Sequence, residues 1–239
     1  MNHLQLCQTV QGLLRATTGA LATTPTTTTS QTGVEGEIVR FVGYAYRDIQ
    51  NEQVQWLFRM KRGSFNTVAS TRAYTITSSV SDFEALLPSE PEGHDPFITL
   101  YLASDGEAGE TRCYFVPYLN FRQSFLEFGS RPEGRPVRFT IEPDGQIAFD
   151  PTPDAIYTVN FDYRRTLHEL TTDADASTGT PIIPSQFHMS IVWGAMKYYA
   201  LTRDAPQSLQ AKWEREYARE MNRLRIDQLP APKFIDDAP

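Results

Sequence analysis

Cysteine is almost absent from this sequence. Cys7 and Cys113 are the whole complement, too few for a framework of bridges. Two lone thiols read as reduced core residues of a protein made in a cytosol. Histidine is nearly as scarce. His3, His94, His168 and His188 are too far apart for a helical metal pair, and neither HExxH nor Cys-x-x-Cys occurs. His188, beside Phe187 in the first turn of an expected helix, reads as a structural imidazole before it reads as a ligand. The glycine-rich phosphate loops GxGxxG and GxxxxGK[ST] are missing, as is the G-x-S-x-G elbow of a serine nucleophile. No stretch approaches the ~20 uninterrupted apolar residues of a membrane span. The opening MNHLQLCQ has neither the basic start nor the apolar run of a secretory signal. Positive charge is also short: 22 Lys and Arg against 29 Asp and Glu leave a net charge of −7. That argues against gripping nucleic acid through a basic surface, though not against a wall that lets DNA slide past.

Two acidic stretches remain as candidate metal sites, and both are weak. Asp173-Ala174-Asp175 could hold a cation through two carboxylates, but it lies in a Thr/Asp/Ser/Gly run that reads equally as a solvated loop. Residues 104–110 lack the ligand spacing of a calcium loop and read as a polar hairpin tip. No catalytic, metal or cofactor site is expected, and the chain is read as a non-enzyme.

What the chain does have is a globular balance, 40% apolar and 21% charged over 239 residues, enough for one large domain or two small ones. Leu4, Cys7, Val10 and Leu14 recur at helical steps and predict a helix over 2–15. Residues 17–33 are dominated by threonine, with Pro25 inside and Gly33 at the end. They read as an extended connector, either a surface loop or a strap on a neighbouring subunit. A second helix is expected over 34–56, with Ile38, Phe41, Val42, Ala45 and Ile49 as its buried stripe and Glu35 and Glu37 in its first turn. Trp56 and Phe58 follow as anchors.

From 63 to 163 the pattern is β. Strands are expected over 64–77, 97–102, 112–116, 137–141, 146–149 and 156–161. Residues 142–145, Glu-Pro-Asp-Gly, have hairpin-turn chemistry. A short helix over 120–128, capped by Asn120, is expected from the spacing of Phe121, Phe125 and Phe128. Arg131, Arg135 and Arg138 lie near Pro132 and Pro136, and Arg164 and Arg165 sit at a strand end. These arginines could touch phosphates or form an intersubunit salt-bridge set.

Two more helices close the pattern. Pro184 suits a first turn, and Phe187, Ile191, Val192, Ala195, Met196 and Tyr199 make one apolar face. After the break at 204–206, a longer helix over 208–227 carries Leu209, Trp213, Tyr217, Met221 and Leu224, flanked by charges of alternating sign. Residues 229–239 hold three prolines and cannot be helical. Phe234 and Ile235 on that stretch either dock on something else or pack on their own domain.

The fold expected is therefore α+β: a helical bundle built from the N- and C-terminal helices, an inserted β-rich module and an extended C-terminal tail. The expected domains are 1–60 with 182–228, 61–181, and the tail 229–239. Trp56, Trp213, Tyr217, Arg135 and Arg164 are the candidates for bundle or intersubunit packing.

The order of pieces is informative beyond this. An N-terminal Leu-Gln-Leu-Cys-Gln helix and a polar linker precede a helix ending Ala-Tyr-Arg-Asp-Ile-Gln at 45–50, with Trp56, Phe58 and Phe65 beyond. Gly134-Arg-Pro136, the 147–153 run Ile-Ala-Phe-Asp-Pro-Thr-Pro, and Tyr157, Tyr163, Leu167 and Asp173 come next. Pro184, Phe187-His188, Tyr217, Leu224 and 227–230 Asp-Gln-Leu-Pro follow. This order resembles the head-to-tail adaptor (connector) proteins of tailed bacteriophages, the family typified by the SU10 adaptor. The resemblance implies a structural virion protein of the neck, made in the host bacterial cytoplasm. It implies a dodecameric ring of copies beneath the portal protein, extending the channel for genomic DNA without sequence-specific contact and docking tail proteins below. Leu229, Pro230, Phe234 and Ile235 would then be the portal-binding anchors. A tail-tube or stopper protein of the same virion is the alternative, and a virion hydrolase the alternative from another class. No membrane partner and no cofactor are implied.

Overall fold

The computed structural model describes residues 1–18, 24–88, 95–127, 132–173 and 179–229. His94, Arg131, Asp175 and the anchors Pro230, Phe234 and Ile235 lie outside them, as does the tail expected after Leu229. The architecture is α+β, and the chain divides into two compact units, residues 1–59 with 167–239 and residues 60–166.

In the first unit, helix α1 spans His3–Thr18 and α2 spans Gly33–Glu52. α4 (His188–Thr202) and α5 (Gln207–Gln228) are numbered after a short α3 in the other unit. α4 is the central helix and packs on α1, α2 and α5. Its residues Ile191, Val192, Ala195 and Met196 have no exposed surface, as expected of a helix with neighbours on several sides. Leu6, Cys7, Val10 and Leu14 of α1 join Ile38, Val42, Ala45 and Ile49 of α2 in the same core. Burial pushes the Cys7 thiol up to about 12, which leaves it an inert core group.

α2 ends four residues earlier than its apolar pattern predicts. The indole Nε1 of buried Trp56 donates to the Ile49 carbonyl at 2.7 Å. It takes a carbonyl that another helical turn would have used, so the chain leaves the helix at an extended Gln53. Residues 167–173 also belong to this unit, although the sequence reading placed them in the β-rich insert. The Gln50 side chain donates to the His168 carbonyl (2.9 Å) and accepts from the His168 N–H (3.0 Å). The His3 N–H reaches the Gly179 carbonyl at 2.7 Å. Such isolated ties carry no periodic signal.

The second unit is an eight-stranded curled sheet: β1 (Met60–Asn66), β2 (Ala73–Tyr74), β3 (Phe83–Leu86), β4 (Ile98–Leu102), β5 (Thr111–Phe115), β6 (Arg138–Ile141), β7 (Ile147–Asp150) and β8 (Tyr157–Arg165). The order is β1-β8-β4-β5-β6-β7-β2, with β3 also on β8. β8 organises it. One of its edges pairs with β1 over residues 158–164, and the other is shared by β4 over 157–161 and β3 over 163–165. Tyr157, Val159, Phe161 and Tyr163 alternate inward along β8. Curling brings the two ends of the order together inside. Phe65 of β1 lies 5.4 Å from Tyr74 of β2, and 6.0 Å from Phe161.

Three expectations need correction. The run 64–77 is not one strand: β1 starts at Met60, and a break separates it from the two-residue β2. β3 carries no alternation long enough to have been noticed. The helix expected over 120–128 begins earlier, as α3 (Tyr118–Phe121) after Pro117, and continues as one π turn over Arg122–Leu126. Asn120 is inside it and not its cap. This segment belongs to the connection between β5 and β6, the one parallel pair in the sheet, which a tight hairpin could not join.

The hairpin chemistry at 142–145 is realised. Gly145 has φ +83°, and the Gln146 N–H donates to the Asp144 carboxylate at 3.1 Å. Residues 103–110 form the β4–β5 tip, where Gly106 has φ +70°.

Candidate interaction surfaces

The residues singled out for packing fall into two kinds. Trp56 and Trp213 are fully buried in the helical unit. Trp56 stacks on Phe58 at 5.3 Å. Tyr217 of α5 is half-buried, with the Lys197 ammonium 4.4 Å from its ring centre. Burial, then the carboxylates of Glu52 and Asp48, push its phenol up to about 12. Leu229 packs against the same core. The arginines are held by their own chain. The exposed Arg135 donates to the carbonyls of Gly109 (2.7 Å) and Leu100 (3.2 Å) and to the Thr111 hydroxyl (2.8 Å). Arg164 pairs with Glu84 at 2.9 Å, and Arg138 with Asp150 at 3.2 Å.

The polar candidates resolve into structural roles. The Asp173 carboxylate accepts from the Thr28 N–H at 2.5 Å and from the Thr28 hydroxyl. Those two bonds hold its carboxyl below the usual carboxylate range. They also fasten the threonine-rich connector to its own unit, as does the bond from the Gln8 side chain to the Pro25 carbonyl at 2.9 Å. His188 uses both ring nitrogens, Nε2 on the Ile183 carbonyl (2.9 Å) and Nδ1 on the Met1 nitrogen (2.7 Å). Nδ1 of His168 meets the Tyr46 hydroxyl at 2.8 Å, and that hydroxyl accepts from the Ile182 N–H at 3.0 Å. Among the described residues no three His, Cys, Asp or Glu side chains cluster to hold a metal. Among them, too, no helix is long and apolar enough to cross a membrane.

The surface is more telling than the polar interior. In the helical unit Leu201 is 73% exposed and Ile226 85%. A shallow groove between α2, α4 and α5 is lined by Ala45, Asp48, Gly194, Lys197, Leu201 and Tyr217. Tyr198 stacks on Phe41 at 6.0 Å, sets its edge against Tyr44 at 5.9 Å and donates its hydroxyl to Asp48. The sequence reading missed this aromatic corner, because Tyr44 and Tyr198 lie off the apolar stripes.

In the β unit, Arg112 and Tyr114 alternate with buried Cys113 and so face outward from β5. The Arg112 guanidinium lies 5.2 Å from the Phe97 ring and 5.5 Å from that of Tyr114. Beside them, the outer face of β1, β8 and β4 is a polar ladder. Arg62 meets Asp162 at 3.1 Å, Asn160 donates to Glu110 at 3.0 Å, and Thr99 donates to Glu110. Hydrogen bonds from Thr99 and Asn160 hold the Glu110 carboxyl below its ordinary range. Exposed tyrosine and arginine are enriched at protein–protein contacts.

Among the described residues, exposed Leu201, Ile226, Tyr114 and Arg112 are therefore the candidate contact positions. No curated protein matches it. The family model for the SU10 adaptor protein matches residues 1–233, nearly the whole sequence, including both units described above. The chain therefore belongs to the SU10 adaptor family, structural head-to-tail connector proteins of the bacteriophage virion.

Proposed function

We propose that the protein assembles as a dodecameric ring beneath the portal in the virion neck, extends the DNA channel and gives the tail its docking platform. The family match across residues 1–233 carries this reading. The physical picture agrees with it. Leu201 and Ile226 are large apolar side chains that the chain itself leaves in water, and a ring covers such positions because each subunit's patch meets a different patch on its neighbour. The net charge of −7 suits a wall that must not hold DNA.

In this reading the four long helices form a bundle packed side by side around the channel. The β unit carries contacts to the tail proteins. Residues 229–239 reach the portal, with Phe234 and Ile235 as anchors and Leu229 and Pro230 as the root of the reach. Trp56, Trp213 and Tyr217 keep the bundle in shape for its neighbours, while Arg135 and Arg164 stiffen the β unit.

The test is the mass of the assembly by light scattering, with and without the cognate portal ring. One adaptor bound per portal subunit is the expected result. A particle whose mass ignores the portal overturns the reading. The chain lacking 230–239 should stay folded and lose portal binding.

A further inference from the structure

A second groove in the helical unit differs from the first in being cationic. It is lined by His3 at the start of α1, by Val39, Arg40, Tyr44 and Arg47 along α2, and by residues 168–170. Elsewhere in this unit, Arg203, Arg219, Arg223 and Arg225 each hold a carboxylate. Arg40 and Arg47 have no ion-pair partner among the described residues, and Arg47 lies 5.5 Å from the Tyr44 ring centre. Glu169 also lines the groove, so two guanidiniums against one carboxylate leave one positive charge.

The wall holds an orphan as well. His3 is 3% exposed. Its Nδ1 is spent on the Thr172 carbonyl at 3.2 Å, and its Nε2 is buried with no partner among the described residues. Burial holds the His3 pKa down despite the Thr172 carbonyl and the charge of Asp173. Nε2 is therefore an acceptor that lacks a donor, and an orphan of this kind is costly. A peptide segment brings carboxylates for the two guanidiniums together with apolar side chains for Val39, Tyr44 and Leu170. A phosphate backbone brings no apolar side chain for Val39, Tyr44 and Leu170.

We propose that this groove binds an acidic peptide segment, and that its occupant in the free subunit is the chain's own run Phe234-Ile235-Asp236-Asp237. The aspartates would meet Arg40 and Arg47, and the apolar pair would lie on Val39, Tyr44 and Leu170. Along the axis of α2 the length of the segment matches the groove. The Arg225–Glu52 ion pair sets the end of α5 beside the end of α2. Arg47 and Arg40 lie about 8 and 18 Å back along α2 at 1.5 Å per residue. The seven residues from Leu229 to Asp236 extend to about 23 Å. Occupancy of the groove and docking of the same residues on a portal exclude each other, but the proposal does not rest on the ring reading.

The experiment is paramagnetic broadening in the full-length chain carrying Ala238→Cys. A nitroxide goes to that site because Cys7 and Cys113 are buried. Broadening of the amide signals of residues 40–47 and 168–170 is expected. Asp236→Asn with Asp237→Asn should abolish it and leave the α4 signals unchanged, and so should Arg40→Glu with Arg47→Glu. Exchanging the charges, Arg40→Asp and Arg47→Asp with Asp236→Arg and Asp237→Arg, should restore it. Absence of broadening, or broadening that survives either pair of substitutions, overturns the proposal. Broadening seen only when labelled chains are mixed with unlabelled isotopic ones means a second copy fills the groove, which overturns the occupant proposed. Portal binding, measured separately, can fail without changing any of these outcomes.

Discussion

Gly194 of α4 sits against Ala45 of α2 so closely that a Cβ built on the glycine would lie 2.8 Å from the Ala45 Cβ and 3.3 Å from the Tyr217 ring. The two helices touch where neither carries a larger side chain. Gly194→Ala gains about 1 kcal/mol of helix propensity. It also forces α2 and α4 apart, and overpacking of this kind costs about 1–3 kcal/mol. The contact is with a Cβ rather than a flexible side-chain end, so the cost should win. A net loss of about 1 kcal/mol is expected in urea denaturation. Ala45→Gly costs about 1 kcal/mol of helix propensity by itself, so the contact is read from the double-mutant cycle: the two substitutions together should cost less than the sum of their separate costs, and strict additivity would show that the contact is not the cause.

The connector gives a prediction in pH. Two bonds from Thr28 lower the Asp173 pKa in the folded state. A depressed folded value stabilises the protein above the unfolded value of about 4, and that contribution is lost as pH falls through the lower folded value. Asp173→Ala should therefore be less stable than the parent at neutral pH, and the gap should narrow as pH falls below the unfolded value of about 4. A gap that stays constant across that range would mean that the charge of Asp173 contributes nothing.

Much of this fold was legible in the sequence, and the exceptions share a physical cause. The stripes on α1, α2, α4 and α5 were visible because burial against one neighbour leaves a period near 3.6. The turn at Gly145 was visible because its chemistry is local. β3 was missed because four residues on the shared edge of β8 show no alternation. The early end of α2 and the placement of 167–173 were missed because Trp56, Gln50 and Tyr46 act through isolated hydrogen bonds to groups beyond their own helical turn. The candidate surfaces were least legible. Trp213 follows from periodicity and Trp56 from its place just after α2, but an exposed Leu201, or an Arg40 with no ion-pair partner among the described residues, is defined only by what fails to surround it.

Arg135 is the clearest case of a charged residue serving its own fold. Its guanidinium collects two carbonyls and a hydroxyl around the β4–β5 tip, a spread that suits a planar fork better than an ammonium. Arg135→Ala should cost about 1 kcal/mol in global stability, since the site is exposed and each bond is modest. Its larger effect should be local, as faster amide exchange over residues 105–111. Arg135→Lys should restore little of that protection. Full restoration by lysine would mean that the positive charge, and not the fork, holds the tip.

Ile226 and Leu201 separate folding from assembly. Both side chains stand in water in the single chain, so replacing either with glutamate removes no packing, and stability should change by less than about 0.5 kcal/mol. In the ring proposed above, the same positions would lie against a neighbour. A buried unpaired carboxylate there costs several kcal/mol, repeated at every interface. Ile226→Glu and Leu201→Glu should therefore unfold at the same denaturant concentration as the parent, yet bind the portal at fewer than one copy per portal subunit. If both variants fill the portal as the parent does, these two side chains lie outside the interface, and the search for it moves to Arg112 and Tyr114 on the β unit. If they fail to bind and also unfold early, the sites are structural and say nothing about the ring.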